Sequence, residues 1–294
     1  MQEKQAYFKN SVLSYWLLLP QLIITFLFFF WPAAQAIKSS FEREDPFGFT
    51  TTFIGFENYV TILSDPDYLQ SFVTTAIFSI SVTVTSMTIA LLFAVCVDRV
   101  IHAKKAYTTL LLWPYAIAPV LAGVLWLFIF HPTIGIIPFL LEKMGIVWNY
   151  RINGTQAMIL IIIAASWKQI SYNFLFFLAG LQSVPRSQIE AAAIDGAGPF
   201  KRFWTVVFPQ ISPTTFFLLI INIQYVMFDT FGIIDNVTSG GPARATNTLV
   251  YKVYNDGFKN QIIGASAAQS TILMLMVIIL TFIQFRWIER RVQY

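Results

Sequence analysis

Few residues in this sequence are equipped for covalent chemistry. It holds one cysteine, Cys96, and two histidines, His102 and His131. These are too few for a cysteine-based metal cluster or a histidine-rich metal site, and a lone cysteine closes no disulfide within the chain. No Ser–His–Asp order, H-E-x-x-H or carboxylate pair stands out. No G-x-x-x-x-G-K-[ST] loop is present to cradle a nucleotide's phosphates. What remains is charge and hydrogen bonding in unusual places. Lys168 lies in the middle of the apolar run Gln156–Leu181, and Asp229 lies near one end of the run Pro213–Ile234. A charge inside such a run is costly and faces a bundle interior or a wet cavity. At about 1.5 Å per helical residue, Lys168 sits about 18 Å and Asp229 about 8 Å below the same boundary. A direct pair therefore needs a snorkelling lysine or a shifted register. Three roles fit: a structural pair or carbonyl-bound ammonium, a contact for a passing solute, or other packing. Asn173, Asn222, Gln224 and Gln269 suit hydrogen bonds between helices or contact with a solute. Lys168, Asn173, Asn222 and Asp229 are the candidate pathway residues.

The elements that carry these residues are apolar. Of 294 residues, 56% are hydrophobic and 12% charged, against about 25% charged in a soluble domain. Crossing the hydrocarbon takes about 20 apolar residues, and six runs are long enough: Val12–Ala36, Ser71–Val97, Thr108–Phe130, Gln156–Leu181, Pro213–Ile234 and Gly264–Trp287. None alternates as a membrane β-strand does. Ala34-Gln35-Ala36 resembles a signal-peptidase site, but the apolar run before it exceeds a typical signal core of about 7–15 residues, so the first helix is expected to stay uncleaved. Pro114 and Pro119 break the third run. A broken helix can line a pathway, because its freed carbonyls need water or protein partners; a simple kink is the alternative. The expectation is an all-α polytopic membrane protein with six transmembrane helices. Residues 1–70 would form a tail, first helix and first outer loop, 71–287 a five-helix core, and 288–294 a tail.

Basic residues set the orientation. Lys4, Lys9, Arg99, Lys104, Lys105, Arg186, Lys201, Arg202, Arg286, Arg290 and Arg291 share the side of the N-terminus. Lys38, Arg43, Lys143, Arg151, Arg244, Lys252 and Lys259 lie on the other, eleven against seven. Both termini are thus expected in the cytoplasm, with the acids Glu42, Glu44, Asp45, Glu57, Asp65 and Asp67 crowding the first outer loop. Trp31, Trp126, Trp148 and Trp287 fall near run ends, as belt residues would. The net charge of +4 reflects this loop asymmetry rather than a nucleic-acid footprint.

One polar segment interrupts the pattern on the cytoplasmic side, "EAAAIDGAGPFKRFWTVVFPQISPT", Glu190–Thr214. Ser187 is placed to cap a helix through Asp195, with Glu190 closing a capping box. Gly196 and Gly198 stop that helix, Pro199 suits the first turn of a second, and Pro209 ends or kinks the second. A short, alanine-faced helix is marginal in water and gains stability by lying on a membrane surface or against a protein partner.

Glu190-Ala191-Ala192, Asp195-Gly196-Ala197 and, eight residues on, Val206-Val207-Phe208-Pro209 resemble the EAA loop of bacterial ABC-importer permeases. That pattern is E-A-A-x-x-D-G-A, eight residues, then I-x-L-P; here Val206 replaces Ile and Phe208 replaces Leu. Phe53–Tyr68 and Thr238–Tyr254 resemble outer loops of carbohydrate-type permeases. Ser166–Gly198 and Phe228–Pro242 are similar to segments of sn-glycerol-3-phosphate importer permeases.

The resemblance implies a type I ABC importer permease fold in a bacterial inner membrane. It implies that Glu190, Ala191, Ala192, Asp195, Gly196, Ala197 and Pro209 form the ATPase-coupling segment. Gly240, Gly241 and Pro242, whose sequence alone asks for a tight turn, would then belong to a scoop-like loop near a docked binding protein. The implied partners are a second homologous permease, two copies of a cytoplasmic ATPase, a periplasmic substrate-binding protein and membrane lipid, with no nucleic acid. ATP and Mg would bind on the ATPase, and this chain, which is not expected to be an enzyme, would bind no cofactor. The implied substrate is sn-glycerol 3-phosphate and related phosphodiesters. Maltose-type permeases share the same loops, so a neutral sugar stays open. A channel or secondary transporter would instead show inverted repeats, and no repeat is evident between the halves.

Overall fold

A computed structural model of the chain describes residues 11–45, 50–100 and 103–288. Both tails, with Lys4, Lys9, Arg290 and Arg291, lie outside the described residues, as does His102. Among the described residues four helices are long and apolar enough to cross a membrane: Tyr15–Ser39, Pro66–Arg99, Gly154–Ser183 and Ile263–Arg286. Two bent pairs raise the number to six if each is one span. These are Lys104–Ala116 with Pro119–Ile129, bent by 101°, and Pro199–Gln210 with Ser212–Asp229, bent by 69°. Helices dominate for a physical reason: hydrocarbon offers no water, so each backbone group must bond within its own segment.

Five of the six runs read from the sequence overlap these helices closely; the fifth, Pro213–Ile234, covers the second half of its bent pair and runs on past Asp229, and the bends fall at prolines. Pro119 opens the second half of the third span and lacks the N–H that would continue the first half. Pro209 lies two residues before the break at Ile211, and Pro213 sits in the first turn after it. A small hairpin follows the first span, Glu42–Glu44 against Thr51–Phe53, antiparallel with Arg43 opposite Thr52.

The chain forms two compact units. The first holds the described residues up to Ser64 together with Asn255–Ile272. Here the first span ends on a polar knot. Asn58 Nδ2 donates to Ser40 O at 2.9 Å and Glu42 O at 3.0 Å, and Ser40 Oγ meets Tyr59 Oη at 2.6 Å. None of the first span's apolar window is buried within the chain. In the same unit the Asp256 carboxylate, 6% exposed, accepts from Gln269 Nε2 at 2.7 Å and Asn260 Nδ2 at 3.1 Å.

The second unit, Asp65–Tyr254 with the residues from Leu273 on, is the bundle. Its spine is the packing of Pro66–Arg99 on Gly154–Ser183. The buried face of Pro66–Arg99 carries Ser71, Thr75, Ser79, Thr83, Ser86, Ala90 and Ala94, small residues about one turn apart. Small residues let two helices approach closely where lipid supplies no hydrophobic drive between them. Many hydroxyls in the spans bond the carbonyl four residues back: Ser71 to Asp67 at 3.0 Å, Thr75 to Ser71 at 2.7 Å, Thr215 to Ile211 at 3.0 Å, Thr230 to Val226 at 2.9 Å. Two apolar clusters flank the midpoint. One gathers Phe78, Val82, Leu160, Ile161 and Ile233; the other Ala90, Ala94, Phe174, Phe177 and Leu218.

Candidate functional site

Three places in the second unit hold the residues singled out by sequence. The first is the polar segment. A helix runs Arg186–Ile194 and ends in a full Schellman turn: Ala197 N donates to Ala192 O at 3.0 Å and Gly196 N to Ala193 O at 3.1 Å. That turn needs a left-handed residue, and Gly196 supplies it with φ +79°. The start differs from expectation. Pro185 occupies the cap position and no side chain caps the helix. Ser187 therefore lies inside the first turn, and the Ser187–Glu190 capping box does not form. The chain enters the helix two residues earlier because Pro185, with φ −62° and ψ 124°, already holds the extended geometry of a cap.

The segment is anchored on one side and bare on the other. Ile189 packs against the cluster of Ala90, Ala94, Phe174 and Phe177 together with Phe203 and Phe208, and Gln210 Nε2 donates to Gln188 Oε1 at 2.5 Å. Glu190, Ala191 and Asp195 are exposed, and Ala192 and Ala197 are half-buried. Pro209 sits in a short helical turn that leads into the break at Ile211. Beside the alanines stand two apolar side chains that sequence reasoning passed over: Ile194 is 87% exposed and Phe200 79%. Their signal was large apolar residues inside an otherwise polar, small-residue loop.

The second place is the broken third span. An ordinary helix would bond the Tyr115 carbonyl to the N–H of residue 119, and Pro119 has none. Lys168 fills the gap: its Nζ donates to Tyr115 O at 3.1 Å and lies 5.1 Å from the centre of the Tyr115 ring. Lys168 is 9% exposed, halfway along a 30-residue helix. It makes no ion pair with Asp229 within 4.0 Å, although both line one cavity of about 550 Å³. Tyr115, Tyr172, Gln169 and Gln224 share its wall. Asp229 is exposed, at the end of a π-helical stretch, Tyr225–Asp229. Of the three roles open to Lys168, carbonyl binding is the contact formed. Tyr115 could have been found from sequence, as the residue four before a proline inside an apolar run.

Asn173 and Asn222 do not join this cavity. Both are fully buried, bonded to each other and to Ser86 between the two apolar clusters. They tie three spans together at the midpoint of the bundle.

The third place is the loop between the fifth and sixth spans. Gly240 is buried with φ +77°, and a Cβ there would come within 2.5 Å of the Tyr251 ring. Gly241 and Pro242 are half-buried, and Thr246 bonds back across the turn to Gly241 O at 2.8 Å. The exposed tip is made by Ser239, Ala243 and Arg244, and Arg244 pairs with Asp67 at the start of the second span. Among the described residues no group of three or more His, Cys, Asp or Glu side chains is placed to hold a metal ion.

Comparison with known proteins adds three likenesses. The family described as binding-protein-dependent transport system inner membrane component matches residues 10–294. The chain is 57% identical over 291 residues, 99% of each chain, to the sn-glycerol-3-phosphate transport system permease protein UgpA of Rhizobium meliloti, and 58% identical over 287 residues, 98% of each, to that of Brucella abortus. Its fold matches a chain of a bacterial alginate ABC transporter solved with an alginate pentasaccharide-bound periplasmic protein, with a TM-score of 0.79 at 20% identity, over 92% of each chain.

Proposed function

The chain belongs to the family of binding-protein-dependent transport system inner membrane components, and from that membership we propose that it is one permease subunit of an ATP-driven importer of sn-glycerol 3-phosphate. The observation that carries the substrate is the end-to-end identity with permeases named for that transport system. In this reading a second homologous permease completes the pathway, and a periplasmic binding protein delivers the solute. Two copies of a cytoplasmic ATPase bind ATP and Mg. Both termini and the 186–209 segment face the cytoplasm, in keeping with the eleven-to-seven bias of basic residues.

The exposed face of Arg186–Ile194 suits a coupling role. Glu190, Ala191, Ala192, Asp195, Gly196 and Ala197 would sit in a cleft of the ATPase, with Ile194 and Phe200 as apolar anchors. The Schellman turn and the Gln188–Gln210 bond keep the segment stiff, and Ile189 roots it in the bundle, so displacement of the helix is carried to the spans. ATP binding draws the two coupling helices together and rocks the permeases from inward-open to outward-open. The free energy that separates those states comes from nucleotide binding on the partner chains, not from this one. Gly240–Pro242 and the neighbouring tip would face the docked binding protein.

Reconstitution of the four-component complex tests the reading. ATP-dependent uptake should occur with glycerol 3-phosphate and fail with maltodextrins. Uptake of maltodextrin without glycerol 3-phosphate would instead favour a neutral-sugar importer, and uptake without any ATPase would remove the importer reading.

A further inference from the structure

We infer that the cavity at the broken third span is the subsite for the phosphate group of the transported solute, with Lys168 as its cation. The inference rests on the glycerol 3-phosphate reading above and adds the residues that recognise the charge.

Four observations converge on it. Lys168 is a buried cation held by a neutral carbonyl, and among the described residues no carboxylate lies within 4.0 Å of it. A buried ammonium with no carboxylate in direct contact favours an anion in the space beside it. That space is the cavity of about 550 Å³, roomy beside a three-carbon phosphate ester. Gln169, 4% exposed, lines it and its Nε2 has no hydrogen-bond partner. Finally, Ala118 and Pro119 in the wall form the start of the 11-residue helix Pro119–Ile129, so the positive end of a helix dipole faces the same space.

A phosphate monoester carries about −1.5 to −2 charge near pH 7. Lys168 can turn from the Tyr115 carbonyl to a phosphate oxygen, or donate to both, since an ammonium has three N–H groups. Asp229, at the rim of the same cavity, disfavours an anion resting there permanently, which suits a subsite that must release its cargo.

The experiment uses the whole complex in proteoliposomes. Lys168→Met should raise KM for glycerol 3-phosphate by about 10- to 100-fold, as loss of a charge-assisted hydrogen bond does. Lys168→Arg should recover most of the affinity. An unchanged KM in an assembled Lys168→Met complex overturns the inference, while absence of uptake by the wild-type complex overturns the underlying reading instead. If Lys168→Met fails to assemble, Gln224→Glu, which adds a negative charge to the same wall, decides: its KM should rise and a flat value is fatal. The assays are run with and without anionic lipid. A Lys168 effect that vanishes without anionic lipid assigns the cavity to a lipid headgroup and overturns the inference. Competition by inorganic phosphate, weakened in Lys168→Met, supports it.

Discussion

Asn173 and Asn222 hold each other through a reciprocal amide pair. Asn222 Nδ2 donates to Asn173 Oδ1 at 2.8 Å, and Asn173 Nδ2 donates to Asn222 Oδ1 at 3.1 Å. Ser86 Oγ donates to the same Asn222 oxygen at 3.0 Å, and Asn222 Nδ2 also reaches Leu218 O at 2.7 Å. Removing one amide strands its partner in a dry site, so Asn173→Leu or Asn222→Leu should each cost about 1–3 kcal/mol. The double variant should cost less than the sum of the two, since nothing is then left unpaired. Thermal inactivation of the detergent-purified complex measures this, and strictly additive losses would show that the amides do not act as a pair.

Gly240 and Ala243 make an opposed pair of substitutions in the loop between the fifth and sixth spans. Gly240→Ala forces a Cβ into the Tyr251 ring at a φ of +77°, and should destabilise by about 2 kcal/mol. Ala243, exposed at φ +46°, already strains the left-handed region, so Ala243→Gly should be neutral or stabilise by up to about 1 kcal/mol. The melting midpoint of each variant checks both signs; equal effects would mean the loop is too loose to feel either.

On the proposed coupling role, Ala192→Asp and Ile194→Asp should lower ATPase co-purification and ATP-driven uptake by about tenfold or more. Membrane insertion should stay intact, because both positions lie outside the apolar clusters. Buried charge at a tight protein contact costs several kcal/mol when unpaired. Normal assembly and uptake in either variant would remove that residue from the contact.

Topology is tested by accessibility. On a Cys96→Ser background, cysteines at Asn10, Gly198 and Gln293 should resist a membrane-impermeant thiol reagent in intact spheroplasts. Cysteines at Asp65 and Gly241 should react. The reverse pattern would place the 186–209 segment outside and sink its contact with a cytoplasmic ATPase.

The spans were legible because apolar length is a property of sequence alone, and so was the break at Pro114 and Pro119. The partner of Lys168 was not, because rise along straight helices compares only depth. The third span bends by 101° and delivers the Tyr115 carbonyl sideways to the lysine. Helix stop and helix start also differed in legibility. Gly196 announces a left-handed end, whereas Ser187 was equally fit to cap the helix or to lie within it, and Pro185 decided between them. The hairpin Glu42–Glu44 with Thr51–Phe53 gave no periodic signal, since three-residue strands are too short to alternate visibly. Asn173 and Asn222 could be seen to want hydrogen bonds, but one lies in the fourth span and the other in the fifth, and no local pattern links them.

The hydroxyls that bond the carbonyl four residues back bear on how the chain is made. Ser71, Thr75, Thr215 and Thr230 find their acceptors within their own helices. Each of these side chains is satisfied as soon as its turn has wound, before any later segment is translated. Such a helix can leave the insertion machinery for lipid singly, and its small-residue stripe can wait there for a neighbour. The Asn173 amide has no such local acceptor among its hydrogen bonds, and its partner Asn222 is synthesised 49 residues later. The fourth span therefore has a reason to linger at the exit until the fifth arrives.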